Sequence, residues 1–126
     1  MQIDSDVLVW LTRGHVGAAL RLHAIPHWQI SVVTYMELAQ GCRDKADLAR
    51  LKKGLAARHT DVVPLSPSIG ARASALIDQL ALSHGLRFAD ALIAATAIEA
   101  GATLLSANAK HFGVINGLKL EVFTPD

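Results

Sequence analysis

The sequence predicts an α/β protein, a three-layer α/β/α sandwich around a central, mainly parallel sheet. Three observations carry that prediction. Short apolar or β-branched runs alternate with helical patterns along the whole chain, and parallel neighbours need crossovers that helices usually supply. Hydrophobic residues make up 52 % of the chain but aromatic residues only 5 %, so the core is built from Ala, Leu, Val and Ile. Glycine and proline fall at element ends: Gly85 and Gly101 close helices, and Pro67 starts one after Ser66. With 126 residues and no linker, repeat or low-complexity tract, the expectation is a single domain over residues 1–126.

In chain order, Gln2-Ile3 reads as a first short strand and "DVLVWLTR" as the helix after it. "GAALRLHA" is a second helix, "HWQISVV" (27–33) a strand, and "TYMELAQGCRD" a helix whose first turn holds Glu37. Next comes "RDKADLARLKKGLAAR", which concentrates Arg43, Lys45, Arg50, Lys52, Lys53 and Arg58. Leu48, Leu51 and Leu55 give it a narrow apolar stripe, so it predicts a helix with a basic outer side. A solvated face is the ordinary reading, and a surface for RNA or a partner the alternative. "DVVPL" (61–65) is a strand and "SPSIGARASALIDQLALSHG" a long helix. "LRFADALIAATAIEAGATLLSANAKHF" holds a helix buried on most sides, then a strand at 102–107; "LKLEVF" (118–123) is the last strand.

Charge and targeting narrow the function. A net charge of +1 is not the balance of a protein that grips nucleic acid by charge alone. The start has neither a basic stretch nor an apolar run, no run reaches membrane-spanning length, and the lone Cys42 suits a reducing compartment. The cytoplasm is the expected location.

Four polar residues fall on one predicted rim. Asp4 follows the first strand, Glu37 the second, Asn108 the strand "TLLSA", and Asp90 heads the apolar helix. In parallel sheets ligands bind beyond the carboxyl ends of the strands. Each residue also has a local explanation: Asp4, Asp6, Asp90 or Asn108 can cap a helix, and Thr34 to Glu37 matches a capping box. Capping does not explain why they share a rim. Three carboxylates close together repel and take up protons unless a cation neutralises them. The absence of His and Cys from the four positions argues against zinc or copper and for a hard ion, Mg²⁺ or Mn²⁺. The chemistry such a site suits is phosphodiester hydrolysis.

The segments "IDSDVLVWL", "ISVVTYMELAQG", "LRFADALIAATAIEAGATLLSANAKHF" and "INGLKLEVFTP" together resemble a PIN domain, and within it a VapC-type toxin of a toxin–antitoxin pair. The resemblance implies a divalent-metal endoribonuclease acting on RNA and neutralised by a cognate VapB-like antitoxin, whose helix or tail packs in a groove and pushes a basic side chain at the acids. It also implies a homodimer, for which the apolar "SIGARASALIDQLAL" offers a face. By motif position it implies metal ligation by Asp4, Glu37 and Asp90, with Asn108 standing where the family often has Asp. Asn108 lowers the charge of the site, so one well-held ion is expected. Only three residues precede Asp4, which implies a short edge strand or a trimmed start and a loosely held Asp4.

Around these four, Ser5, Asp6 and Ser106 are candidates to orient the ligands, with helix capping the slightly preferred role. Arg13, Arg43, Lys110 and His111 are candidates for RNA phosphate, and Trp10 and Trp28 are expected in the core. Two other functions fit parts of the pattern. A PIN-like domain with Asn108 can be an inactive binding module. Asp4-Ser5-Asp6-Val7 also fits the short motif of haloacid-dehalogenase-like phosphatases, but the long apolar strand and late acid pair that motif needs are missing.

Overall fold

A computed structural model describes residues 1–126. Twelve elements follow in order: β1 (Gln2–Ile3), α1 (Ser5–Thr12), α2 (Val16–His23), β2 (Gln29–Ser31), α3 (Val32–Gln40), α4 (Lys45–Ala57), β3 (Asp61–Val63), α5 (Pro67–His84), α6 (Phe88–Ala100), β4 (Leu104–Ser106), α7 (Ala109–Phe112) and β5 (Leu120–Val122). All five strands are parallel, in the order β3-β2-β1-β4-β5. The expected sandwich is what forms.

Alternation along the strands splits the core. Ile3, Ile30 and Leu105 point to one face, where they meet Val7 and Leu8 of α1, Leu22 of α2, Trp28, and Leu55 of α4. Leu104 points to the other, against Ile69, Ala73 and Leu76 of α5 and Ala91, Ile93, Ala94, Ala95 and Ala97 of α6. So many alanines have one consequence: α6 can lie close to both the sheet and α5, and the pair is tied at its outer edge by Arg72 Nε donating to Glu99 at 3.0 Å.

β1 is the centre of the sheet, not its edge, which corrects the expectation drawn from its length. It pairs β2 through Gln2 and Gln29, and β4 through Gln2 with Leu104 and Ile3 with Leu105. Gln2 is fully buried, yet both ends of its amide are used: Nε2 donates to Ile93 O at 2.9 Å, and Oε1 accepts from Gln29 Nε2 at 3.0 Å. Two residues thus fix the start of the chain in the middle of the molecule, and Asp4 is held firmly.

The second correction is at α3. The run "ISVV" reads as strand, but the strand stops at Ser31, whose Oγ accepts the backbone N–H of Val33 at 3.0 Å and caps the helix there. Glu37 is therefore well past the first turn. The capping box does not form, because the Thr34 hydroxyl is buried without a partner and Glu37 turns to another residue.

Candidate active site

β1 leads outward through β2 to β3 on one side, and the chain then crosses to β4 and β5 on the other. The crevice beyond the carboxyl ends of β1 and β4 is thus a topological switch point, the usual ligand site of such sheets. Asp4 leaves β1 and Ser106 ends β4 at that crevice.

Asp4 is only 6 % exposed. Its Oδ1 accepts the backbone N–H of Ser5 at 2.9 Å, capping α1, and its Oδ2 accepts the hydroxyl of Ser106 at 2.8 Å. Burial, reinforced by Asp6 and more weakly by Glu37, pushes Asp4 up from an ordinary 3.8 to about 7, although both hydrogen bonds oppose the rise. Asp6 reaches across to β4: its Oδ2 accepts the backbone N–H of Ala107 at 3.1 Å and the Ser106 hydroxyl at 3.4 Å. Its Oδ1 is buried with no partner, and burial raises its pKa despite those hydrogen bonds.

Glu37 comes in from α3 and accepts the Ser5 hydroxyl at 3.2 Å. Burial raises it, and so do the charges of Asp90 and Asp6. Asp90 lies in the first turn of α6, is raised by burial, and is eased by the positive charge of His111 and Arg87. Four carboxylates are therefore electrically coupled, Asp90 to Glu37, Glu37 to Asp6 and Asp4, Asp6 to Asp4.

β4 supplies the far wall. Ser106 Oγ also accepts the backbone N–H of Asn108 at 3.0 Å. Asn108 Oδ1 caps α7 by accepting the N–H of His111 at 3.2 Å, and its Nδ2 lies 3.2 Å from His111 Nδ1. That ring nitrogen is also 3.5 Å from Asp90 Oδ2.

The structure thus brings Asp4, Asp6, Glu37 and Asp90 together with Ser5, Ser106, Asn108 and His111. Ser5, Asp6 and Ser106 are not the helix caps they were expected to be; they bind Glu37, the start of the β4 loop, and Asp4. Two basic candidates belong elsewhere. Arg13 ends α1, about 13 Å along the helix from Asp4 at 1.5 Å per residue, and lies against Trp10. Arg43 is bound to Asp47, its Nε 2.9 Å from Oδ2. Lys110 is exposed on α7, and Trp28 is core as expected. His111, the remaining candidate for RNA phosphate, lies against Asn108 and Asp90 at the rim.

No three His, Cys, Asp or Glu side chains stand close enough to enclose an ion as they are placed. The donor set nonetheless fits a hard cation: four repelling carboxylates, one raised by burial to about 7, and a carboxylate oxygen of Asp6 with nothing to bind it.

A parallel switch-point sheet with acids at its carboxyl rim defines the class, and the sequence model of the PIN domain matches residues 1–117. The chain belongs to the PIN domain family. The resemblance drawn from the motifs is borne out, and membership leaves no place for the phosphatase reading. Among solved structures, a toxin–antitoxin complex from Klebsiella pneumoniae is similar at 29 % identity and TM-score 0.80, covering 99 % of this chain and 97 % of that one. VapBC2 from Rickettsia felis, bound to a promoter DNA fragment, shares the fold at 21 % identity and TM-score 0.82, with 98 % of both chains covered. DNA-bound VapBC from Salmonella typhimurium does so at 21 % identity and TM-score 0.80, with 96 % of both covered. In sequence, no curated protein matches the chain.

Proposed function

We propose that the protein is a divalent-metal-dependent endoribonuclease of the VapC toxin type, which hydrolyses RNA phosphodiester bonds and is neutralised by a cognate VapB-like antitoxin. The observation that carries this reading is the coupled group of Asp4, Glu37 and Asp90 at the switch point, in a chain of the PIN family. Holding acids together this way costs stability, and a scaffold has no use for it.

Asp4, Glu37 and Asp90 would hold Mg²⁺ or Mn²⁺, with Asn108 beside them and the remaining positions left to water and RNA phosphate. When bound, the ion supplies a more acidic water and stabilises charge developing on the phosphate. The chain's own part is to place its ligands. Ser106 fixes the Oδ2 edge of Asp4, Ser5 fixes Oε1 of Glu37, and Asp6 clamps the loop after β4, from which His111 reaches Asp90. Buried walls keep bulk water from screening these charges.

An antitoxin partner is supported by the neighbours, which are toxin–antitoxin complexes. It is supported also by a cleft of about 850 Å³ between α1, α3 and α4, lined by Leu8, Leu11, Leu38, Leu51 and Leu55 with Arg43, Arg50 and Arg58. Such a lining suits an amphipathic helix with acidic flanks. α1 and α3 also position Asp4 and Glu37, so an occupant of the cleft sits beside the site. A homodimer is supported by Leu82 and Phe88, both exposed at the junction of α5 and α6. The cytoplasm is the compartment that fits a free Cys42; no helix is long and apolar enough to cross a membrane.

The test is cleavage of a fluorophore-quencher RNA pool by chelator-stripped protein, with Mg²⁺ or Mn²⁺ added back. Cleavage that needs the ion and drops about a hundredfold or more in Asp4→Asn and Asp90→Asn is expected. Equal cleavage by parent and variants would defeat the assignment. No cleavage by any of them, with normal binding to a partner, would favour an inactive binding module.

A further inference from the structure

We propose that Arg87 and Phe88 form a nucleotide-binding step beside the acids, in which the guanidinium takes a phosphate of single-stranded RNA and the ring stacks on a base next to the bond that is cut. The inference rests on the ribonuclease reading above and names the residues with which that site grips its substrate.

Both side chains stand in the open without a structural role. The chain has seven arginines. Carboxylates hold Arg21, Arg43, Arg50 and Arg72, and Arg13 and Arg58 lie over tryptophan rings. Arg87 is exposed and its side chain does not cap α6. Nor does it pair with Asp90, three residues on and on the same side of the helix, which lies against His111 instead. Phe88, the next residue, is 75 % exposed, whereas the other two phenylalanines and Trp28 are buried and Trp10 and Tyr35 partly so. Burying an aromatic ring is among the larger apolar gains open to a fold, and here that gain is left for a ligand.

Their place joins them to the acids. Arg87 and Phe88 start α6, the helix whose first turn carries Asp90. Helical side chains lean toward the N-terminus, so the Phe88 ring extends past the start of α6, the end that lies at the rim. Residues two apart in a helix have Cα atoms about 5–6 Å apart, so a base on Phe88 and a phosphate at Asp90 belong to adjoining nucleotides of one strand. The acids repel RNA on approach, and Arg87, whose charge already eases Asp90, offsets them. Stacking needs an unpaired base, so the step selects single strands, loops and ends over duplex. A second copy of the chain is the alternative occupant of Phe88, together with Leu82; it accounts for the exposed ring but not for the free cation beside it.

The experiment measures binding of a short, fluorescent, random-sequence single-stranded RNA by anisotropy, in EDTA over a range of salt and again with Mg²⁺ added. Full-length parent, Arg87→Gln, Phe88→Ala, Phe88→Leu and Phe88→Trp are compared, each checked for fold by circular dichroism and for oligomeric state by sedimentation. Expected are about tenfold weaker binding in Phe88→Ala and Phe88→Leu, and parent-like binding in Phe88→Trp with its added emission quenched by RNA. In Arg87→Gln binding should weaken and its log–log dependence on salt become shallower by about 0.7. A duplex of the same length should bind parent and Phe88→Ala alike. Unchanged RNA binding in Phe88→Ala, or an unchanged salt slope in Arg87→Gln, overturns the step and leaves the ribonuclease reading standing. Phe88 variants that shift only the oligomeric state assign the ring to a second copy and overturn it too. No RNA binding by the parent, with or without Mg²⁺, overturns both.

Discussion

Removing the charge of Asp4 should stabilise the metal-free protein and flatten its response to pH. In the fold this acid titrates at about 7, against an ordinary 3.8. Between those values the folded protein holds a proton that the unfolded chain has released. Stability is therefore greatest at acid pH, falls as pH rises from about 4 toward 7, and is level above that. The shift of about three units corresponds to roughly 4 kcal/mol, of which about 2.5 kcal/mol is lost between pH 5 and pH 8. Burial raises Asp6, Glu37 and Asp90 as well, so their contributions run in the same direction. In Asp4→Asn the amide oxygen can still accept the N–H of Ser5, and the Ser106 hydroxyl can turn to accept from the amide nitrogen. The variant should then gain about 2.5 kcal/mol more over the parent at pH 8 than at pH 5, or roughly 8 °C in midpoint. Urea and thermal unfolding in EDTA at several pH values measure it. A parent whose stability rises from pH 5 to pH 8, or a variant with the parent's full slope, would refute the account of Asp4 as a buried acid strained by its neighbours.

Three further changes probe what holds the site in place. Gln2→Leu leaves Ile93 O and the Gln29 amide without partners in a dry strand, and should cost about 1–3 kcal/mol in urea unfolding; an unchanged midpoint would show that the buried amide contributes nothing. Ala97→Leu forces a large side chain into a fully buried position of α6, with an expected loss of about 1–3 kcal/mol in thermal unfolding. Gly113→Ala sets a Cβ 2.6 Å from Ala109 O, the carbonyl that already accepts the Gly113 N–H at 2.8 Å, so the end of α7 must shift. A loss of about 1–3 kcal/mol is expected, with lower Mn²⁺ affinity because α7 is capped by Asn108 at the rim; full stability and affinity would show that the turn absorbs the methyl group.

The regulatory logic of the proposed toxin follows from the same strain. The carboxylates that would bind an ion are also the ones that weaken the empty fold above pH 7, so any ligand placing positive charge at the rim gains that energy back. Metal and a basic group of an antitoxin would compete for the same source of affinity.

Sequence alone determined the layers and which polar residues fall at the rim, because both are local. Apolar runs, helix stops at Gly85 and Gly101, and an N-cap at Ser66 are properties of neighbours in the chain, and the structure keeps all of them. So are polar residues just past a strand end or at the head of a helix, which is why Asp4, Asn108 and Asp90 stood out. Where local signals conflict, the sequence could not decide: Val32 and Val33 favour strand, yet Ser31 caps a helix there and moves Glu37 beyond the first turn. Strand order was out of reach for a different reason. A two-residue strand looks like an edge until one knows that β2 and β4, which pair with it on either side, lie far along the chain. The same distance hides the amide of Gln2 under α6, the clamp from Asp6 to Ala107, and the turn of His111 toward Asp90. Local pattern chose the elements; only long-range packing, which brings residues some hundred positions apart within bonding reach, set the electrostatics of the site.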